Sequence, residues 1–406
     1  MQKLIIILVV FIKVSVGSDE PYVIMVSFDG FRHDYMNKTE TPNFDKLEKE
    51  GVKAESLIPV FPSLTFPNHY SIATGSYAGT HNITGNSFYD KKFKEEYNLY
   101  NRSKVKDPKF YKSEPIWVTA ERQGVLSASF YWVGTEAPIK GHSPSLFKYY
   151  DGTVPFVARV DSVINWLQLP EEIRPKLVLL YFSEPDHTGH IMGTNTNDII
   201  KSVSDMDALL GYLLKELENL PIYPNLNIIV LSDHGMVDVS SDRIIILDDY
   251  ISKMNAIYVR GNGAHVQFDI KEEYTTYKDL FVEELSAIPN CKFWKKNNIP
   301  RRFQFQNNNT NDYLLLADEG WLITTLSDHD KKPFTIKGMH GYDPSLSSMH
   351  GIFYAKGVDI KDSLIIPSFE NIHIYPFICK LLDIKPYQGM DDSPQGKIEV
   401  LEKILR

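Results

Sequence analysis

Three short, nearly unbroken apolar runs stand out along the chain: Tyr22 to Phe28, Leu177 to Phe182 and Leu226 to Leu231. A half-exposed strand would alternate apolar and polar residues, so runs of this kind predict strands buried on both faces of a parallel sheet. Between them the apolar residues recur at helical spacing. Asp151 to Gln168 carries Val157, Val160, Ile164 and Leu167 on one face, and Ile199 to Leu217 carries Val203, Met206, Leu209, Leu210, Leu213 and Leu214. Further helices are predicted over Thr41 to Gly51, from Pro67 to Gly75, over Glu114 to Gly124 and near Ile372 to Leu382, three of them stopped by Gly. Leu126 to Val133 and Gly351 to Gly357 add strands, whereas Asp90 to Tyr111 is charge-rich and reads as a surface excursion. The alternation predicts an α/β fold with a mostly parallel central sheet flanked by helices. A small α+β subdomain is inserted at about residues 250–335, with strand-like alternation in Ala256 to Ile270 and Asp312 to Thr325, a helix over Tyr274 to Ile288 and an exposed turn at Asn307 to Asn311.

Each buried run leads into an aspartate: Asp29 directly, Asp233 after Ser232, and Asp186 after Ser183-Glu184-Pro185. In open α/β sheets the ligand site lies beyond the carboxyl ends of the strands, so three strands aim three carboxylates at one place. Histidines follow closely: His190 lies four residues after Asp186, His234 adjoins Asp233, and His340 sits in a later Gly-Met-His-Gly segment. Carboxylate and imidazole without thiolate suit a pair of divalent cations in a catalytic role, zinc in particular. Two such ions about 4 Å apart can hold a phosphoryl group and lower the pKa of a bound hydroxyl. Thr65 supplies that hydroxyl, because Pro67 marks a helix start and a Thr just ahead of it lies at or near the N-cap, where an anion is favoured.

Phe28-Asp29-Gly30-Phe31-Arg32, Thr65-Phe66-Pro67-Asn68-His69-Tyr70, Glu184-Pro185-Asp186 with Gly189-His190, Ser232-Asp233-His234-Gly235-Met236 and His340-Gly341 together resemble the nucleotide pyrophosphatase/phosphodiesterase family of the alkaline phosphatase superfamily. The resemblance runs in order across almost the whole chain. It implies an alkaline-phosphatase-like sheet and two Zn²⁺ ions, one held by Asp186, His190 and His340, the other by Asp29, Asp233, His234 and the nucleophilic Thr65. It implies that Asn86 and the backbone N–H beside Thr65 bind a phosphate oxygen. Phe66, Trp132, Tyr150 and Tyr181 fall where nucleotide-binding members place base-stacking or pocket aromatics. His350, in a second His-Gly, is the rival to His340, and His69 reads as an orienting residue.

Composition narrows the partners. With 43% hydrophobic and 12% aromatic residues there is ample material for a core, and the net charge of -9 argues against a stable nucleic-acid complex, which needs a basic surface. A nucleotide or other small phosphodiester remains open as substrate because two metals reverse the field locally. Residues 1–18 read as a signal peptide, a Lys3 start followed by the apolar Leu4 to Ile12 and small residues, leaving 19–406 as the catalytic domain. No later run is long enough for a transmembrane anchor. Two cysteines, Cys291 and Cys379, are few for an exported animal enzyme and fit a bacterial periplasmic or surface protein better, so an exported protein, periplasmic or secreted, is expected; they either pair or stay free. Sequons occur at Asn37, Asn82, Asn101 and Asn308.

The expected reaction has two steps. Thr65 attacks the α-phosphorus of a nucleotide to give a covalent intermediate, and water then releases the nucleoside 5'-monophosphate. The alternatives are a choline-phospholipid phosphodiesterase, which shares the metal site, a phosphomonoesterase, or a non-catalytic surface protein that retains the fold.

Overall fold

The computed structural model describes residues 20–331 and 335–406. The signal-peptide reading of residues 1–18 therefore lies outside the described residues. Eight strands form the main sheet: β1 (Tyr22–Phe28), β2 (Val52–Ala54), β3 (Ser127–Phe130), β4 (Leu146–Lys148), β5 (Leu177–Phe182), β6 (Leu226–Leu231), β7 (Phe353–Gly357) and β8 (Leu364–Ile366). Their spatial order is β8-β2-β7-β6-β1-β5-β3-β4, parallel throughout except that β7 runs antiparallel to both of its neighbours. The three apolar runs are thus the three central strands. Val23 pairs with Leu177 on one side of β1 and with Asn227 on the other, so all three end at the same level.

Side-chain alternation along these strands sorts the core into two layers. Val23, Met25, Leu177, Leu179, Ile229 and Leu231 pack against the helices Thr65–Thr74, Ile116–Arg122 and Ile374–Leu381. Ile24, Val26, Val178, Leu180, Ile228 and Val230 pack against Phe156–Leu167 and Asn197–Glu218 on the opposite face. The longest helix, Asn197–Glu218, buries Ile199, Val203, Met206, Leu210, Leu213 and Leu217 in one stripe, and the Thr196 hydroxyl caps it by accepting the Ile199 N–H. Val157 departs from the predicted stripe: it is 51% exposed, and the buried face of Phe156–Leu167 is made by Arg159, Val160, Val163, Ile164 and Leu167.

The inserted segment builds a second sheet. Ile257–Arg260, His265–Ile270, Tyr313–Ala317 and Cys291–Lys295 lie antiparallel in that order, backed by the helix Lys278–Ala287 and a core of Val266, Phe268, Phe281, Leu285 and Leu315. Its stems are zipped together, Val237 pairing with Met339 and Asp238 with Gly338. The Asn-rich turn is not exposed as predicted: Asn309, Thr310 and Asn311 are buried. Asn309 donates to Asp90 and Asn82 across the junction with the main domain, so these amides serve as an internal joint. Asn82, one of the sequon residues, is buried with them. The charge-rich stretch after Asp90 forms a hairpin, Ser87–Asp90 with Glu95–Asn98, and buries Tyr97, Phe110 and Tyr111. Cys291 and Cys379 are both free thiols.

Candidate metal centre

The level ends of β1, β5 and β6 bring Asp29, Asp186 and Asp233 together. The Asp29 N–H donates to the Phe182 carbonyl and the Asp186 N–H to the Asp29 carbonyl, at 2.9 and 3.0 Å. Gly30 turns the chain with φ 64°, and a Cβ there would stand 2.7 Å from the Asp186 Cβ, so only glycine lets the two loops close. The Gly30 N–H reaches Asp233 Oδ1, and the Phe31 N–H reaches the Ser232 hydroxyl, which itself donates to the His234 carbonyl. The short helix Asp186–Met192 puts Asp186 and His190 one turn apart on the same face.

Each histidine is oriented by a carbonyl. Nδ1 of His190 donates to Gly338 O, that of His234 to Gly235 O and that of His340 to Ser63 O, at 2.8 to 2.9 Å. A carbonyl only accepts, so each Nδ1 carries the proton and each Nε2 presents a lone pair. Those lone pairs face carboxylate oxygens. In one group His340 Nε2 lies 3.2 Å from His190 Nε2 and 3.6 Å from Asp186 Oδ1, which is 3.5 Å from His190 Nε2. In the other, His234 Nε2 lies 3.4 Å from Asp29 Oδ1, 3.2 Å from Asp233 Oδ2 and 3.3 Å from Thr65 Oγ1. The rings of His234 and His340 stack at 3.6 Å and join the groups.

Acceptors do not crowd acceptors without a cation between them. Asp29 Oδ1, Asp186 Oδ1 and Asp233 Oδ2, one from each carboxylate of the cluster, are buried without any hydrogen-bond donor. For metal–ligand bonds of about 2.0–2.1 Å, the edge of a tetrahedron is roughly 3.3 Å, which the separations above match. The residues present therefore fit two metal ions. Electrostatics agree: burial, then repulsion from Asp233 and Asp186, pushes the Asp29 carboxyl well above its usual range. Burial together with His234 and His190 holds His340 well below the usual imidazole value, hence neutral. For Asp233 burial acts upward, but His234 and His69 outweigh it and keep the carboxylate ionised. Asp29, Asp233, His234 and His340 are buried, whereas Asp186 and His190 stay part-exposed, so the site opens on their side.

Thr65 is the first residue of its helix, with Leu64 as the N-cap. Asn68 fixes the loop ahead of it: its Oδ1 accepts the Val60 N–H, and its Nδ2 donates to the Pro62 and Leu64 carbonyls. His69 packs one turn on, donating from Nδ1 to the Thr65 carbonyl and accepting the Ser27 hydroxyl at Nε2. The Phe66 N–H donates to Asn86 Oδ1 at 3.0 Å, so it is not free beside Thr65 as the resemblance implied; the amide N of Asn86 is the group left open. Asn68 and Ser27 carried no signal of their own, since a buried polar residue reads like an exposed one until its partners are known.

The pocket aromatics separate. Tyr150 is 42% exposed, its ring tilted against Tyr131, and Phe66 is part-buried against Tyr97, both available to a ligand. Trp132 is corrected: it is 2% exposed, and its indole N–H donates to the His69 carbonyl, so it supports the helix Thr65–Thr74 from behind. Tyr181 is corrected as well: its buried hydroxyl donates to Asp29 Oδ2 at 2.5 Å, an outer partner of the centre in place of a stacking surface. His350 uses both ring nitrogens elsewhere, on Ser56 and the Pro344 carbonyl. His340 alone of the two reaches the cluster.

Comparison with known proteins agrees with this geometry. The chain is 35% identical to a venom phosphodiesterase of Naja atra over 378 residues, covering 91% of this chain and 45% of that protein. It is 35% identical to ectonucleotide pyrophosphatase/phosphodiesterase family member 1 of Homo sapiens over 379 residues, 91% of this chain and 41% of the relative. The chain thus spans less than half the length of these curated relatives. Among solved structures, murine ectonucleotide pyrophosphatase/phosphodiesterase 5, as an inactive threonine-to-alanine variant in complex with AMP, superposes with a TM-score of 0.88 at 32% identity, covering 95% of this chain and all of that one. The type I phosphodiesterase / nucleotide pyrophosphatase profile matches residues 23–343, and the chain belongs to that family, within the alkaline phosphatase superfamily.

Proposed function

We propose that the protein is a zinc-dependent nucleotide pyrophosphatase/phosphodiesterase that cleaves at the α-phosphorus and releases nucleoside 5'-monophosphates. The observation that carries this reading is Thr65 Oγ1 standing 3.3 Å from the inward lone pair of His234, beside carboxylate oxygens that have no donor. Asp186, His190 and His340 would hold one Zn²⁺, and Asp29, Asp233, His234 and Thr65 the other. When bound, zinc lowers the pKa of a coordinated hydroxyl and offsets charge on a phosphoryl oxygen. Thr65 Oγ1 loses its proton and forms the new O–P bond as the bond to the leaving group breaks. Water then cleaves the threonyl ester and returns the proton. The Asn86 amide N, held in place by Phe66, donates to a non-bridging oxygen, a contact of a kind worth on the order of 2 to 4 kcal/mol of barrier. Tyr150 and Phe66 form the walls available to a base.

The relatives favour a secreted protein; they are snake and mammalian, so they lend nothing to the periplasmic reading drawn from the two cysteines. Incubation of the zinc-loaded protein with ATP tests the function. AMP with pyrophosphate is expected, and Thr65→Ala abolishes turnover with zinc content kept. ADP with phosphate would instead identify a phosphomonoesterase. Cleavage of choline phospholipids but not nucleotides would establish the alternative head-group specificity.

A further inference from the structure

Arg260 ends the strand Ile257–Arg260, just before the Gly261-Asn262-Gly263 turn, and its guanidinium lies 4.2 Å above the Tyr89 ring. Its Nε is buried without a hydrogen-bond partner, and no carboxylate pairs with it among the described residues. A guanidinium offers five donors, and in a chain of net charge -9 an Arg that is stacked but unpaired is held ready for an anion. It borders a cavity of about 160 Å³ that also touches Leu64, Asn86, Ser87, Gln267 and Met339. These neighbours place the cavity against the catalytic site: Leu64 precedes Thr65, Asn86 accepts the Phe66 N–H, and Met339 precedes His340. No aspartate or glutamate lines it, and burial pushes the lining His265 down to about 4, so Arg260 is its one charge at neutral pH. The volume is well below the ~300–1,000 Å³ of pockets that enclose a drug-sized ligand, which suits a compact anion and not a second base.

We infer that this cavity is a subsite for the phosphate groups of the substrate beyond the scissile phosphorus, with Arg260 as the residue that recognises them. The inference rests on the proposed nucleotide specificity, and gives it a direction: polyphosphate leaving groups are preferred over uncharged ones. Tyr89 pre-orients the planar guanidinium, so that two N–H groups can meet two phosphate oxygens together.

The test is calorimetric titration of AMP and ATP into zinc-loaded Thr65→Ala protein, with Arg260 intact, changed to Ala and changed to Lys. Thermal melting serves as the fold check. With Arg260 intact, ATP is expected to bind about 10-fold or more tightly than AMP; Arg260→Ala removes that preference, and Arg260→Lys restores part of it. Equal binding of the two nucleotides to the Arg260 protein, or a preference that persists in Arg260→Ala, overturns the subsite while leaving the nucleotide reading intact. If neither nucleotide binds, the nucleotide reading fails, and inorganic tripolyphosphate titrated into metal-free protein decides the subsite alone. Arg260-dependent binding of tripolyphosphate then sustains it, and absent or Arg260-independent binding overturns it.

Discussion

Changing Tyr181 to Phe keeps the ring and removes only the hydroxyl, which distinguishes a stacking surface from a hydrogen-bond donor. The hydroxyl donates at 2.5 Å to Asp29 Oδ2, and the oxygen across that carboxylate, Oδ1, faces His234. Both residues are buried, so water does not replace the lost donor. Hydrogen bonds to a charged group are worth about 1.5–3 kcal/mol, and outer partners of metal ligands typically govern 10–100-fold in affinity, about 1.4–2.7 kcal/mol; the two ranges agree. Tyr181 also lowers the Asp29 pKa against burial and the repulsion of Asp233 and Asp186. Its loss raises that pKa further, protons compete better for the carboxylate, and the pH midpoint of metal binding moves up. Competition of metal-stripped protein with a chromogenic chelator, repeated across pH, reads both effects. Unchanged zinc affinity in Tyr181→Phe would refute the reasoning, as would a loss of AMP affinity at saturating zinc in the same variant.

Four further outcomes are expected. His340→Ala lowers zinc content by elemental analysis while His350→Ala does not, because His350 already spends both nitrogens on Ser56 and Pro344. Gly30→Ala forces a Cβ to 2.7 Å from the Asp186 Cβ at φ 64°, so it costs about 1–3 kcal/mol in urea unfolding and weakens zinc binding. Burial depresses His81 to about 3 and His265 to about 4, so below pH 6.5 the unfolded chain takes up protons that the native state refuses. Stability is therefore full above that pH and falls with acidification, by up to about 1.4 kcal/mol per pH unit for each histidine until its folded pKa is reached; a Gln at either position flattens the slope seen by denaturant titration. Trp132→Phe loses the bond to the His69 carbonyl and part of the packing behind Thr65, lowering the melting temperature with AMP affinity at saturating zinc unchanged.

The central strands were legible because burial on both faces leaves an unbroken apolar run, and Asp29, Asp186, His190, Asp233 and His234 because each follows such a run or falls at a helical spacing; His340, far along the chain, was legible only through the family resemblance. The pocket was not. Trp132 and Tyr181 are aromatic residues near strand ends, and nothing in their spacing distinguishes a ring facing a ligand from one turned inward to Asp29 or to the helix Thr65–Thr74. Asn307 to Asn311 misled for the opposite reason: amides suit exposed turns, yet Asn309 is buried at a junction where Asp90 and Asn82 satisfy it. The strand Cys291–Lys295 went unpredicted because its residues are half exposed and rich in lysine, an edge-strand composition that resembles a loop.

The paired stems of the insert, Val237 with Met339 and Asp238 with Gly338, make everything between them the loop of a single hairpin. The closure entropy of such a loop grows only logarithmically, by roughly 0.6 kcal/mol for each doubling of length. His234 and His340 lie just outside the two stems, so the ladder sets where the chain carries these two histidines. A lineage can therefore lengthen or trim the loops of the inserted sheet, the turn after Arg260 included, and change which leaving groups are favoured, provided that the Asn309 joint to Asp90 and Asn82 is kept. Arg260 and the two histidines thus sit on opposite sides of a two-pair ladder in the sequence.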